Sequence, residues 1–218
     1  MYKRQVQIRH KSSGKVLLKA RNASLRGCTL AQLDLSGAEF NGFDLSGCRF
    51  EGCNLSDCDF GGSNLQNAQI KNSVLKHANF SRANLQGAVM TDSVFQSSSF
   101  VSCIATGVSF RNSKINNASM AGGDFNDCNF VFAELRSNLR GASLVAANLF
   151  GADLTDADFS NADLSLANMT DAVITGANFL AADMSGCIGI NGRPWGAAIR
   201  RPIVSRRWWR AGLGSVIQ

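Results

Sequence analysis

The chain of 218 residues contains two prolines and two histidines, and it has no long apolar run. So little proline argues against a proline-rich linker protein. Because no stretch of eighteen or more apolar residues occurs, we expect no transmembrane helix. The first ten residues are basic but lack the apolar run and small-residue cleavage site of a secretory signal. We therefore expect a cytoplasmic protein.

Acidic residues are missing from both ends of the chain. Residues 1–22 carry seven Lys or Arg and no acid, and residues 185–218 carry six and no acid. Residues 23–184 hold nine basic residues against all 16 acidic ones. The net charge of +6 therefore conceals an acidic body between two basic ends.

A period of five residues runs through the acidic body. From Leu25 to Leu135 every fifth residue is large and apolar except Ala105, and after a slip of one residue the series continues from Leu139 to Met184. These positions are the centres of 33 units. In most units a small residue stands two positions before the centre, with a polar residue, often Asp or Asn, between them. The two residues after the centre are mostly turn formers.

A period of five fits neither an α-helix nor a continuous strand. Two inward residues spaced by two make a short extended segment, and the two turn formers make a corner. Repetition of strand and corner predicts an all-β solenoid, whose stacked coils satisfy each other's backbone groups. We therefore divide the chain into an N-terminal segment 1–22, a repeat region 23–184 and a C-terminal segment 185–218.

The unit, as in Ala152-Asp153-Leu154 or Ala177-Asn178-Phe179, resembles the A(D/N)Lxx motif of the pentapeptide-repeat family. The likeness covers residues 23–184. It implies a right-handed quadrilateral β-helix with four units, or twenty residues, in each coil. The 33 units then make about eight coils.

Steps of twenty residues predict a ladder of aromatic rings inside one face of this β-helix. Met120 and, across the slip, Leu139 continue the series before phenylalanine returns. The aromatic members are Phe40, Phe60, Phe80, Phe100, Phe159 and Phe179.

Both flanking segments are candidates for covering the ends of the solenoid. Two extended runs, 6–10 and 15–18, flank Lys11-Ser12-Ser13-Gly14, which predicts a β-hairpin cap at the N-terminal end. The segment 185–218 is rich in Trp and Arg, which favours either a cap on the last coil or a contact to an anionic membrane surface or nucleic acid. The residues of that contact are Arg200, Arg201, Arg206, Arg207, Trp208, Trp209 and Arg210.

All seven cysteines occupy the small inward position of the repeat, where cysteine takes the place of alanine. We therefore expect buried, reduced and unreactive thiols. Their spacing does not match a zinc site, and disulfides are rare in a cytosolic protein. The seven are Cys28, Cys48, Cys53, Cys58, Cys103, Cys128 and Cys187.

The sequence shows no catalytic pattern. His10 and His77, the two histidines, do not stand in a Ser–His–acid, Cys–His or metal-binding arrangement. The acidic residues follow the period of the repeat, and a rod lacks the cleft that paired catalytic carboxylates need. We therefore predict a protein that is not an enzyme, with no catalytic residues, no metal site and no cofactor.

The first candidate binding surface is acidic. Residues 141–184 contain six Asp and no Lys or Arg. Spread over about 11 Å of axis, they give about one charge per 2 Å, close to the roughly 1.7 Å of duplex DNA. The alternative is that the polar position of the motif keeps the rod soluble. The six are Asp153, Asp156, Asp158, Asp163, Asp171 and Asp183.

Two further features predict a partner site. Apolar residues replace polar ones at the outward middle position of four units in neighbouring coils, which predicts either an apolar cluster or scattered exposed side chains. The slip at Arg136-Ser137-Asn138 removes one residue near Phe132, with Arg136 and Arg140 beside it, and predicts either a recognition notch or a tolerated deletion. The four apolar residues are Val74, Val89, Val94 and Ile104.

Three functions remain open. The first is a non-enzymatic protein-interaction scaffold. The resemblance implies a second, because some members of the family bind DNA gyrase or related topoisomerases as DNA mimics, confer quinolone resistance and dimerise end to end. The third is binding to an anionic membrane surface or nucleic acid through the C-terminal segment. Fold alone does not decide among them.

Overall fold

The computed structural model describes residues 6–20 and 24–196. Over these ranges the chain forms a β-helix-like solenoid without helices. None of these residues forms a helix long and apolar enough to cross a membrane. The corner and strand alternation predicted from the period of five is therefore confirmed.

Five strands are long enough to have defined bounds. Strands β1 (Gln7–Arg9) and β2 (Val16–Lys19) form an antiparallel hairpin. Strands β3 (Thr29–Ala31), β4 (Arg49–Glu51) and β5 (Gln69–Lys71) stack in parallel, each displaced by twenty residues from the one before. The other extended segments pair through single residues, because each side of a coil is short.

Pairing at a separation of twenty residues builds four parallel ladders along the solenoid. We name each ladder by its first member: Thr29, Asp34, Glu39 and Asp44. Hydrogen bonds run in both directions between successive coils, as where the Phe40 N–H donates to the Asp59 carbonyl at 2.7 Å and the Asp59 N–H donates to the Ala38 carbonyl at 2.9 Å. One coil is therefore twenty residues.

A single unit shows why the motif folds as it does. The Leu35 carbonyl accepts a hydrogen bond from the Ala38 N–H at 3.0 Å, which closes a β-turn. Gly37 has φ of 67°, the positive value that a type II turn requires at its third residue. Asp34 Oδ1 accepts from the Ser36 N–H at 3.1 Å and so fixes the entry to the turn. Asp and Asn are thus favoured before the centre for their oxygen acceptor, independently of charge.

The predicted aromatic ladder is confirmed. The rings of Phe40, Phe60, Phe80 and Phe100 stack at centroid separations of 4.9 Å, and all four are fully buried. Phe159 and Phe179 stack in the same way at 5.2 Å. Each such pair contributes roughly 0.5–1.5 kcal/mol beyond the burial of its area. The core of the protein is therefore a column rather than a globule.

The β1–β2 hairpin is joined to the first coil. Ile8 is fully buried, and His10 pairs with Ala38 in an antiparallel bridge. The Lys11 N–H donates to the Gly37 carbonyl at 2.8 Å, and the Lys11 ammonium donates to the Asp57 carbonyl at 2.6 Å. These contacts fix the hairpin against the solenoid.

At the other end the chain folds back on the last coil. Ile188 pairs with Pro194, and the Trp195 N–H donates to the Cys187 carbonyl at 2.7 Å. The Trp195 ring lies 5.3 Å from the ring of Phe179. Phe179 and its neighbouring centre Met184 are still partly exposed, unlike the centres of the preceding coils.

The prediction that all seven thiols are buried is wrong for Cys28. Six cysteines are buried, but Cys28 is partly exposed because the first coil is covered by a following coil on one side only. Burial raises the pKa of Cys58 and of Cys103 to about 12 in each case, and that of Cys187 to about 11.

Candidate interaction surface

The slip shortens one corner of the solenoid. Ser119 pairs with Asn138, so the coil that contains the slip has nineteen residues instead of twenty. Leu135 and Ser137 are separated by Arg136 alone, whereas other corners have two residues between the centre and the next small position. The residue that would take a positive φ is the one that is missing.

This missing residue removes a hydrogen-bond donor. At other corners the N–H of the second corner residue donates to the first corner residue of the next coil, as from Asn117 to the Arg136 carbonyl and from Asp156 to the Thr175 carbonyl, both at 2.9 Å. Thr155 stands at the corresponding place after the slip. The first corner residue is the one that directly follows a centre. From Ser46 to Ile190 the carbonyl of each such residue accepts a backbone hydrogen bond from the preceding coil, except the carbonyl of Thr155.

A notch of about 430 Å³ lies at this shortened corner, and Thr155 is among the residues that line it. The Arg136 guanidinium binds the Asp153 carboxylate, with Nε donating to Oδ2 at 2.8 Å. Burial raises the pKa of Asp153, but the hydrogen bonds from Arg136 and Thr155 outweigh it and hold that pKa below its usual value. The Asp156 side chain is exposed at the rim. The lining residues are Gln96, Asn116, Asn117, Arg136, Thr155 and Asp156.

An aromatic pair, the exposed Phe132 and the partly exposed Phe150, lies at the N-terminal end of the short segment 133–135, and the notch lies at its C-terminal end. Phe132 precedes residues 133–135 and Arg136 follows them, so the pair and the notch are about 13 Å apart along an extended chain. The Phe132 side chain is 51% exposed and meets the Phe150 ring edge-on at 5.7 Å. A Cβ atom on Gly151 would lie 2.5 Å from the Phe132 ring, so the ring occupies this place because residue 151 is glycine.

Phe132 is also strained. Its φ is 57°, in the left-handed region that bulky side chains rarely adopt. Such a conformation costs about 1–3 kcal/mol and clusters at functional sites. We call Phe132, Phe150, the segment 133–135 and the notch the interaction face.

Of the two alternatives predicted for the four apolar residues, scattered side chains agree with the ladders, and a role of these residues in binding stays a prediction. Val74 and Val94 are adjacent in the Asp34 ladder, but Val89 belongs to the Thr29 ladder and Ile104 to the Asp44 ladder. A step of fifteen or of ten residues, unlike a step of twenty, moves the side chain to another side of the coil. Val74 and Ile104 are exposed, at 37% and 49%.

The six aspartates are distributed over several faces. Asp153 lies in the Asp34 ladder, Asp158 in the Glu39 ladder, and Asp163 and Asp183 in the Asp44 ladder. Each of these four accepts a hydrogen bond from the N–H two residues later, at 2.9–3.0 Å. Asp156 and Asp171 stand at corners with positive φ. Their role in binding stays a prediction.

Large side chains at corner positions are the signal that the sequence offers for the aromatic pair. Phe132 is exposed, as predicted. Phe150 was not predicted from the sequence, although a large aromatic residue at a corner departs from the turn formers around it. The same departure marks the exposed side chains of Leu166 and Leu180.

No group of His, Cys, Asp or Glu in 6–20 and 24–196 has the arrangement of a metal site. The arginine- and tryptophan-rich contact residues 200–210 lie outside the described residues.

Comparison with known proteins identifies the repeat and the fold. A family model described as pentapeptide repeats matches the chain in eight copies, over residues 19–52, 53–92, 93–131, 136–171 and 152–188. Among curated proteins no match is found.

Several solved structures resemble the chain. HetL, a pentapeptide repeat protein involved in heterocyst differentiation regulation in the cyanobacterium Nostoc sp. strain PCC 7120, is 22% identical, with 78% of this chain and 92% of HetL covered and a TM-score of 0.51. QnrB1, a plasmid-mediated fluoroquinolone resistance protein, is also 22% identical, over 74% of this chain and 84% of QnrB1, with a TM-score of 0.33. The likeness to HetL supports the fold and no particular partner.

Proposed function

The chain belongs to the pentapeptide-repeat family, and from this premise we propose that it is a non-enzymatic scaffold that binds a protein partner. The observation that carries the proposal is Phe132, half exposed, held in a strained backbone conformation and paired with Phe150. Aromatic residues are enriched at protein interfaces and supply much of the binding free energy there. A corner that served only to turn the chain would be more stable with Gly, Asn or Asp at position 132.

The interaction face also indicates the chemistry of the partner. Phe132 and Phe150 offer apolar area to one large apolar side chain. The Thr155 carbonyl and the Asp156 carboxylate in the notch accept hydrogen bonds, so they suit a main-chain N–H, a lysine or an arginine. We therefore propose a partner segment with an apolar anchor and, about 13 Å away, a hydrogen-bond donor.

The test compares affinity capture by the unaltered protein, by Phe132→Asn and by Leu166→Asn. Leu166 is a matched control, because it is also an exposed bulky residue with positive φ, at 61°, but it lies outside the interaction face. A partner captured by the unaltered protein and by Leu166→Asn is then purified and titrated. We expect Phe132→Asn to weaken binding by about tenfold or more, as for an interface hot spot. Equal affinities for all three proteins would refute the proposal.

Gyrase, duplex DNA and anionic liposomes are included as probes in the same experiment. The six aspartates motivate the first probe, and the basic segment 185–218 motivates the other two. If gyrase binding depends on Asp158 and Asp163 but not on Phe132, the binding site is the acidic surface and not the interaction face. Liposome or DNA binding that is lost at high salt and unaffected at Phe132 would assign the function to the C-terminal segment.

We also propose the finer architecture: right-handed winding, about eight coils, and a cap formed by the β1–β2 hairpin. The four ladders of twenty-residue period support the coil count. Buried Ile8 and the hydrogen bonds of Lys11 to the first two coils support the cap. A crystal structure tests all three features.

A further inference from the structure

Two cysteines meet at the N-terminal end of the solenoid. Cys28 and Cys48 occupy the small position in successive coils, and their Sγ atoms lie 3.1 Å apart. This is about 1 Å longer than the roughly 2.05 Å of a disulfide bond. No other pair of cysteine sulfurs in the described residues is in contact.

The backbone geometry permits a bond between them. Thr29 and Arg49, the residues that follow the two cysteines, are paired in register in the parallel β3–β4 ladder. Adjacent strands lie about 4.8 Å apart, and Cα atoms joined by a disulfide lie about 4.4–6.8 Å apart. A small shift of the first coil, which is packed against a coil on one side only, therefore brings the sulfurs together.

The two thiols differ in access and in acidity. Cys28 is the partly exposed cysteine, whereas Cys48 is buried. The hydrogen bond from Cys48 lowers the pKa of Cys28, while the same contact and burial raise the pKa of Cys48. Thiolates are the nucleophiles in disulfide exchange, so Cys28 is the thiol that reacts first.

We propose that Cys28 is a modification site for low-molecular-weight disulfides of the glutathione type, and that Cys48 resolves the adduct into a Cys28–Cys48 disulfide. The Cys28 thiolate attacks one sulfur of the disulfide RSSR, the S–S bond breaks, and RS⁻ leaves and takes up a proton. Cys48 then loses its proton to solvent, and its sulfur attacks Cys28 Sγ and expels the second RS⁻. In total two protein thiols are oxidised by two electrons, and RSSR is reduced to two RSH.

The bond would join the first coil to the second. It closes a loop of twenty residues, and a cross-link of this length stabilises by restricting the unfolded chain. It would also fix the edge of the solenoid next to the β1–β2 hairpin. This inference concerns the terminal coils and is independent of the proposed partner.

The experiment incubates the folded protein with oxidised glutathione and follows the intact mass and the peptide map. We expect the loss of two hydrogens, a mapped Cys28–Cys48 bond and a melting temperature raised by several degrees. Cys28→Ala should not react. Cys48→Ala should stop at a glutathione adduct on Cys28. Cys58→Ala, a buried cysteine in another column, should behave like the unaltered protein.

Alanine occupies the small position in most units, so these variants are expected to keep the fold, which circular dichroism verifies. Maleimide labelling of native Cys48→Ala should modify Cys28 first. The proposal is overturned if the folded protein keeps all seven thiols after oxidation, if the bond maps to another pair, or if Cys28 is labelled no faster than the buried cysteines.

Discussion

At the scale of the residue, the second corner position imposes the strictest demand. It takes a positive φ in unit after unit, and glycine adopts this conformation without a steric cost. Asn and Asp tolerate it. Phe132, Ala146 and Leu166 do not have this advantage, yet they have φ values of 57°, 57° and 61°. These residues are local exceptions, and each holds its corner at a cost in stability.

Replacement of Ala146 by glycine should therefore stabilise the protein. The left-handed conformation costs alanine about 1–2 kcal/mol, whereas the entropic penalty of glycine is about 0.5–1 kcal/mol. We expect a net gain of about 0.5–1 kcal/mol in the free energy of unfolding, measured by urea denaturation. Ala147→Gly is the control, because Ala147 is fully buried and loses a packed methyl group. A loss of stability at both positions would contradict the assignment.

At the scale of the element, the short strand and its corner could be predicted from the sequence. The five-residue period, the Asp or Asn before the centre and the turn formers after it all agree with the observed unit. The contact between Cys28 and Cys48 could also be predicted from the sequence, because the two residues are separated by the twenty residues of one coil. The exposure of Cys28 could not, because it arises where the first coil has no preceding coil to cover it. The orphan carbonyl of Thr155 lies nineteen residues beyond the slip, and local sequence does not indicate it.

Insertion of one glycine between Arg136 and Ser137 should restore the shortened corner. The new residue can take a positive φ, and its N–H can donate to the Thr155 carbonyl, which fills the notch. We expect a gain of about 0.5–1.5 kcal/mol from the hydrogen bond, measured by urea denaturation, together with weaker partner binding. The control inserts glycine between Asp156 and Ala157, where the corner is already complete, and should destabilise. Equal losses from both insertions would show that the slip leaves no unsatisfied group.

At the scale of the whole molecule, the core is a column in which each coil packs on its neighbours, so stability is a sum of similar interfaces. The aspartates of the ladders contribute to this stability because their carboxylates accept hydrogen bonds from the turn residues that follow them. Asp34, Asp44, Asp158 and Asp183 are each followed two positions later by serine. Hydrogen bonds from that serine lower the pKa of each carboxyl below its usual value.

Stability should therefore fall in acid. A carboxyl whose pKa is lower in the folded state stabilises fully above its unfolded pKa of about 3.9, and this contribution is lost as the pH falls through the folded value. We expect a lower melting temperature at pH 3 than at pH 6. Asp158→Asn keeps an oxygen acceptor for the Ser160 N–H but does not titrate, so it should reduce the difference between the two pH values. A melting temperature independent of pH would contradict the role of the carboxylates.

Because Trp195 packs on Phe179, the fluorescence of Trp195 is sensitive to the folding of the C-terminal coil. All three tryptophans lie between residues 195 and 209, so intrinsic fluorescence observes the C-terminal end, whereas far-ultraviolet circular dichroism averages over every coil. If the coils melt together, the two signals follow one transition. If the rod unzips from its C-terminal end, the emission shifts before the dichroism does, and the gap between the curves measures how far cooperativity reaches along the solenoid.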